Sequence, residues 1–492
     1  MSLALDISLW QFAFMVLEYG IKFVMIGVVP ANRRPSSANA WLLLILLVPV
    51  IGLPLYLLMG SAWMSRRRHR IQQDANDALA NVHAEIPDYP AGAIESDEVE
   101  AMVRLHRTLT GFPAVYAHAP RLWSDYDLAI ARIADLIDTA QHYVDIEIYA
   151  VAWDTTTAPV FDAMERAVKR GVHVRLLLDH IGSRKYPGFR KMKKHLDEIG
   201  VHWHLMLPVD PLRLRWRRPD LRNHRKVVVI DGRVGYLGSL NLIDRGYLLR
   251  RHLRAHRQWI DAFVELEGPI VTSLEYMFAV DWYTESDELI ELHPPTPAAD
   301  LDAPDVNIVQ LVPSGPGYQT EPNLRMFTTI MHHARQRLIL CSPYFVPDDT
   351  LLDAITTACY RGVRVDLLVG EKADQFMVEH AQSAYYEQLL DAGVHIWEFP
   401  APYVLHTKFA LADPGLVSSV AVIGSSNMDM RSFTLNYENS LFVARGPLLT
   451  DLADLATTYM SVSRELTLAR WNRRPWYRKY VDNVMKLTSA LQ

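Results

Sequence analysis

Residues 223–232 read NHRKVVVIDG and residues 405–414 read LHTKFALADP. Each stretch holds a His, a Lys two positions on and an Asp five positions after the Lys: His224, Lys226 and Asp231, then His406, Lys408 and Asp413. VVVI and FALA, between Lys and Asp, have the length and composition of short buried strands. Side chains at i and i+2 of a strand share a face, so each His and its Lys are expected to project together. Each trio is followed by Gly-Ser-x-Asn, giving Ser239 with Asn241 and Ser425 with Asn427. Hydroxyls and amides offer hydrogen bonds to anionic oxygens, and Lys adds charge. One such trio is weak evidence. Two in register are not.

The register extends well beyond the trios. YVDIEIYAV at 143–151 leads into APVFDAMERAVKRGV and HVRLLLD, while RLILCSPYFV at 337–346 leads into LLDAITTACYRGV and RVDLLVG. HLDEIGVHWHLMLP at 195–208 echoes QLLDAGVHIWEFP at 388–400. An offset of about 180–190 residues throughout marks an internal duplication, not a short solenoid repeat. Strand, helix, strand with apolar runs predicts an α/β architecture with a largely parallel sheet. The acidic, Pro-rich TESDELIELHPPTPAADLDAPD at 284–305 separates the copies. The expected domains are a membrane hairpin over 1–62, a polar, partly helical linker over 63–115, a first half over 116–283, an inter-half linker over 284–306 and a second half over 307–492.

The chain has 492 residues, half of them hydrophobic, and two cysteines, Cys341 and Cys359, too few for a disulfide framework. A net charge of −6 argues against bulk nucleic-acid binding. The N-terminus departs from a soluble protein. WLLLILLVPVIGLPLYLLMG at 41–60 is an uncharged run long enough to cross a bilayer. SLWQFAFMVLEYGIKFVMIGVV at 8–29 is apolar but holds Glu18 and Lys22, one turn apart and placed to pair. The absence of a basic start disfavours a signal peptide. The expectation is a two-helix hairpin, with the first helix the less secure and a partial dip into the membrane as the alternative. SRRRHR at 65–70 outweighs Arg33 and Arg34 in the connector, so the body is expected on the cytoplasmic side.

With these motifs in view, the chain is similar to the phospholipase D superfamily, whose signature is the repeated HxKxxxxD. More narrowly it resembles the bacterial cardiolipin synthases, in LRNHRKVVVIDG, GSLNL, VPSGPG at 312–317, SPYFVP at 342–347 and GSSNMDMRSFTLNYEN at 424–439. The resemblance implies a duplicated phospholipase D-like fold, two α/β halves packed as a pseudo-dimer behind a transmembrane hairpin. It also implies an inner-membrane enzyme that turns two phosphatidylglycerols into cardiolipin and glycerol without cofactor or metal. His224 is then the expected nucleophile and His406 the acid/base, while Asp231 and Asp413 are supporting residues. Glu438 and Asp261 are the candidates by position to hold the second nitrogen of each imidazole. Lys226, Lys408, Asn241, Asn427, Ser239 and Ser425 would hold or support the phosphate. Arg213, Arg215, Arg217, Arg218 and Arg222, in PLRLRWRRPDLRNHRK, are expected to face anionic headgroups. LARWNRRPWYRKYV at 468–481 is a second interfacial candidate. A phospholipase that uses water, a nuclease and an inactive lipid-binding scaffold share parts of this pattern. Product identity separates the first, and the membrane segment disfavours the second. Two intact trios disfavour the third.

Overall fold

The computed structural model describes residues 9–31, 35–60, 70–75, 77–78, 86–210, 215–216, 218–292, 306–318 and 320–487. One large mixed sheet dominates. Its strands in chain order are β1 (Ala114–Trp123), β2 (Tyr143–Ile148), β3 (His173–Asp179), β4 (His202–Met206), β5 (Lys226–Ile230), β6 (Val234–Gly238), β7 (Phe263–Glu267), β8 (Val306–Ser314), β9 (Arg337–Cys341), β10 (Arg364–Gly370), β11 (His395–Phe399), β12 (Phe409–Ala412), β13 (Val420–Gly424), β14 (Asn436–Arg445) and β15 (Arg464–Leu466). Across the sheet they run β15-β11-β10-β9-β12-β13-β14-β8-β1-β7-β6-β5-β2-β3-β4. Read outward from the β8–β1 junction, the two sides follow the same sequence of roles. β2, β3 and β4 are parallel, as are β9, β10 and β11, and the motif strands β5 and β12 lie antiparallel beside them.

The repeated RGV phrase has a local cause. Gly171 and Gly362 each end a helix with φ +86°, a left-handed conformation that suits glycine. The arginine before each reaches back to the end of the preceding helix. Arg170 donates to the carbonyl of Ile137, and Arg361 donates to those of Met331 and Ala334. These bonds satisfy carbonyls that a helix end leaves unpaired. Three clusters make the body's main core. One fills the β2–β3 side, with Ile146, Phe161 and Leu176, and a second fills the β9–β10 side, with Leu338, Ile355 and Leu367. The third packs residues from both sides together, among them Val229, Leu274, Phe409 and Leu441.

Three expectations change here. The large sheet is not largely parallel: along its path only β2–β3, β3–β4, β9–β10 and β10–β11 run parallel, because the motif strands and the central strands return as antiparallel neighbours. Within the 63–115 segment, a helix at Asp97–Thr110 buries Val99, Met102 and Val103 in the β9–β10 core, so this part is packed structure. At the N-terminus, α1 (Leu9–Val28) is the continuous one, and Trp10–Val28 is the one helix among the described residues long and apolar enough to cross a membrane. Glu18 and Lys22 pair on it at 2.6 Å. The second run is broken into α2 (Pro35–Leu47), α3 (Pro49–Leu55) and a π-helical turn at Tyr56–Gly60. Pro49 lacks the N–H needed to continue a helix, and the chain doubles back there. A Cβ on Gly52 would meet the Leu44 carbonyl at 2.6 Å, and the Trp41 and Tyr56 rings meet edge to face at 5.7 Å. The sequence ranked these segments in the opposite order because hydropathy counts apolar residues and not the break. Arg33, Arg34, residues 65–69 of the basic cluster and residues 293–305 of the inter-half segment lie outside the described residues.

Candidate active site

Both histidines come to one cavity of about 410 Å³, which Asn241 and Asn427 also line. Each His stands in an extended stretch before its motif strand, held by the other half of the chain. The His224 backbone N–H donates to the Tyr437 carbonyl, and that of His406 to the Ile260 carbonyl, both at 2.8 Å. The residue after each carbonyl supplies the carboxylate. Glu438 meets His224 Nδ1 at 3.0 Å, and Asp261 meets His406 Nδ1 at 2.7 Å. A carboxylate at Nδ1 fixes the tautomer and turns Nε2 toward the cavity.

The serines of the Gly-Ser-x-Asn stretches point elsewhere than expected. Ser239 donates to Asp261 at 2.6 Å and Ser425 to Glu438 at 2.5 Å, so each steadies the carboxylate that holds a histidine. Asn241 is braced by Tyr247, whose hydroxyl accepts from Nδ2 at 2.7 Å, and by the Ala150 N–H. Lys226 and Lys408 are fully buried behind the rings. Each ammonium donates to the carbonyl of its own histidine, at 2.6 and 2.5 Å. Regular strand begins only at Lys226 and at Phe409, so each histidine precedes its motif strand.

Asp231 and Asp413 sit outside the cavity lining, at φ +51° and +50°. Each carboxylate gathers three successive backbone N–H groups at the start of β2 or β9. Asp231 accepts from Gln141, His142 and Tyr143 at 2.7–2.8 Å, and Asp413 from Arg335, Gln336 and Arg337 at 2.7–2.9 Å.

The electrostatics of the two imidazoles differ. Burial, then Lys226 and Lys408, hold His224 well below the usual range. Burial and Lys408 also lower His406, but Asp261 opposes them. Burial pushes the Asp261 carboxyl up, yet His406 and Lys408 more than offset it and leave it below the usual range. Glu438 is pushed up by burial to about 7, against Lys226 and Ser425. Burial brings Lys408 down to about 8. So His406 rests on a firmer anion than His224 does.

Of the five arginines expected to face headgroups, Arg213 and Arg217 lie outside the described residues, as does the Arg215 side chain. Arg218 pairs with Asp220, and Arg222 pairs with the buried Asp179 at 3.2 Å, although Arg222 still lines the cavity. Both of these arginines are thus held by carboxylates. A single sequence does not reveal that Asp179, far along the chain, returns to Arg222. Sequence reasoning also missed Tyr149, whose ring lies 5.0 Å from His224 and 5.4 Å from Lys226 Nζ. Its signal was its place, just past the carboxyl end of a parallel strand, where α/β sheets gather ligands.

Two carboxylate-held histidines from opposite sides of an α/β sheet face one cavity with amide donors, an arrangement that fits a phospholipase D-like transferase. The family model described as cardiolipin synthase, PLD-like domain, matches residues 133–267 and 327–459, and one described as phospholipase D-nuclease N-terminal matches 23–61. Cardiolipin synthase A of Pectobacterium carotovorum subsp. carotovorum (strain PC1) is 33% identical over 481 residues, 95% of each chain. That of Yersinia pseudotuberculosis serotype O:1b (strain IP 31758) is 32% identical over 474 residues, again 95% of each. Among solved structures, phosphatidylserine synthase of Haemophilus influenzae Rd KW20 superposes with a TM-score of 0.57 at 14% identity, covering 79% of this chain and 99% of that one. The chain belongs to the bacterial cardiolipin synthases of the phospholipase D superfamily.

Proposed function

We propose that the protein transfers a phosphatidyl group from one phosphatidylglycerol to another, releasing glycerol and forming cardiolipin. The observation that carries this reading is the crossed pair His224–Glu438 and His406–Asp261 around one cavity, in a chain of this family. His224, held neutral by burial and the two lysines, attacks the phosphorus through Nε2. The bond from phosphorus to the glycerol oxygen breaks, and protonated His406 gives that oxygen its proton. A phosphatidyl-histidine remains. His406, now neutral, takes the proton from a hydroxyl of the second phosphatidylglycerol. That oxygen attacks phosphorus, the P–N bond breaks, and His224 returns neutral. Asn241 and Asn427 donate to the non-bridging oxygens, and the buried lysines supply positive potential from behind. Asp231 and Asp413 act as structural clamps. The more ionised Asp261 supports the assignment of His406 as the acid.

The duplicated halves pack as a pseudo-dimer, and each completes the other's histidine. The protein belongs to the inner membrane and acts on anionic lipid, with no nucleic acid as partner. α1 crosses once, and α2 with α3 forms a re-entrant hairpin. Arms of 13 and 12 residues reach about 18–20 Å, short of a hydrocarbon core of about 30 Å. Both basic segments, the connector and SRRRHR, then lie on the cytoplasmic side with the body, so their charges no longer oppose one another. The helix Trp476–Lys486, with Trp476 and Tyr480 exposed, rests on the membrane surface.

The intermediate gives the test. Labelled phosphatidylglycerol, rapid alkaline quench and peptide mass analysis should place the phosphatidyl or derived phosphate on the peptide containing His224. Label on the His406 peptide would reverse the assignment.

A further inference from the structure

A condensation of two phosphatidylglycerols brings two phosphodiester anions into one cavity, and only one of them reacts. The groups beside the histidines serve the reacting one. The other needs its own cation, three carbons of glycerol away. We infer that Lys185 and Arg251 form the site that holds the phosphodiester of the accepting lipid. This rests on the synthase reading.

Lys185 and Arg251 both line the cavity and both are exposed to it. Among the described residues no carboxylate forms an ion pair with either, in contrast to Arg218 and Arg222 on the same face. Lys185 Nζ lies 5.3 Å from the Tyr149 ring and 5.0 Å from the Tyr186 ring. Tyr149 in turn meets His224 at 5.0 Å, and Tyr186 meets Tyr247, which faces His406 at 6.4 Å. The ammonium thus stands on rings that also meet His224 directly and His406 through Tyr247, and its charge is felt at His224. A cation placed there suits a second anion beside the reacting one.

Arg251 is aimed by His252. Its Nε donates to His252 Nε2 at 2.9 Å, which leaves the terminal nitrogens of the guanidinium for another partner. With Nε2 accepting, Nδ1 carries the imidazole proton. Nδ1 is buried and has no hydrogen-bond partner among the described residues, an unmet donor at the edge of the same cavity. Burial first, and then the charges of Arg251, Arg257 and Lys185, push His252 down to about 4 against Asp374. It stays neutral at working pH and keeps accepting from Arg251. Asp374 is engaged by the Tyr344 hydroxyl at 2.6 Å.

The test compares two reactions of the full-length enzyme in mixed micelles. Cardiolipin formation needs two lipid anions. Exchange of labelled glycerol into phosphatidylglycerol passes through the same phosphatidyl-histidine and needs one. Lys185→Gln and Arg251→Gln should each lower the ratio of cardiolipin formation to glycerol exchange by about tenfold, the worth of one hydrogen bond to a charged group. The loss should appear as a raised KM for the accepting lipid, and Lys185→Arg should recover most of it. A parallel fall in both reactions, or no fall in either, overturns the site. Because the ratio is internal to each preparation, partial misfolding of one variant leaves the reading intact. Wild-type enzyme that makes phosphatidic acid and no cardiolipin overturns the synthase reading itself, and the acceptor site with it.

Discussion

At the residue scale, the account rests on an asymmetry between two similar imidazoles. Asp261 is held below its usual range and Glu438 is raised to about 7, so the two histidines sit on unlike anions. Asp261→Asn should cost roughly 100-fold or more in kcat by removing the partner of imidazolium His406, with a smaller effect on lipid KM, as steady-state assays would show. Lys408 is lowered to about 8, so it carries charge below that pH and loses it as pH rises through that value. The alkaline side of kcat/KM should therefore steepen near pH 8, above the first fall that the lowered His406 acid sets. The limb of kcat should lie higher, because a bound anion favours the charged lysine. A flat profile to pH 9.5 would contradict this assignment. At this scale the sequence was informative about identity and poor about partnership. His224, His406, Glu438 and Asp261 were legible by spacing, but the crossing of each carboxylate to the other half's histidine depends on how the halves pack. Ser239 and Ser425 were read as phosphate donors because a hydroxyl beside a motif gives no sign of which way it points.

Among the elements, the trio's aspartates explain why the motif extends beyond chemistry. Asp231 and Asp413 fasten the starts of β2 and β9 to the ends of β5 and β12 with three N–H donors each. Asp413→Ala should remove about 3 kcal/mol of stability, seen as an earlier denaturant midpoint, because three partly buried N–H groups lose a charged acceptor. Asp413→Asn should lose less, since an amide oxygen still accepts and Asn tolerates the left-handed backbone. The α/β alternation was legible because RGV-x-V-x-LL marks the same helix-to-strand turn twice. The packed helix Asp97–Thr110 was harder to see. Its first turn is acidic, with Asp97, Glu98 and Glu100, and only Val99, Met102 and Val103 mark its buried apolar side.

For the whole molecule, the central question is how a membrane anchor and a two-anion site work together. In the proposed arrangement α1 crosses once, the α2–α3 hairpin dips in and returns, and the body stays against one leaflet, where both lipid substrates would present their headgroups. A cysteine at Val50, exposed near the bend between α2 and α3, should resist an impermeant maleimide from either side of the membrane, in a background without Cys341 and Cys359. Labelling from the periplasmic side would mean that the bend reaches the far surface and that each arm crosses. Membrane association was legible in hydropathy. The fold-back was not, because it depends on Pro49 and on contacts between Trp41 and Tyr56 across the bend.

The most direct measurement is the stoichiometry of products from purified enzyme given phosphatidylglycerol alone, with a chelator and no nucleotide. One glycerol released for each cardiolipin formed, lost in both His224→Ala and His406→Ala, is the predicted result. Phosphatidic acid without cardiolipin, or full activity after removal of either histidine, would contradict it.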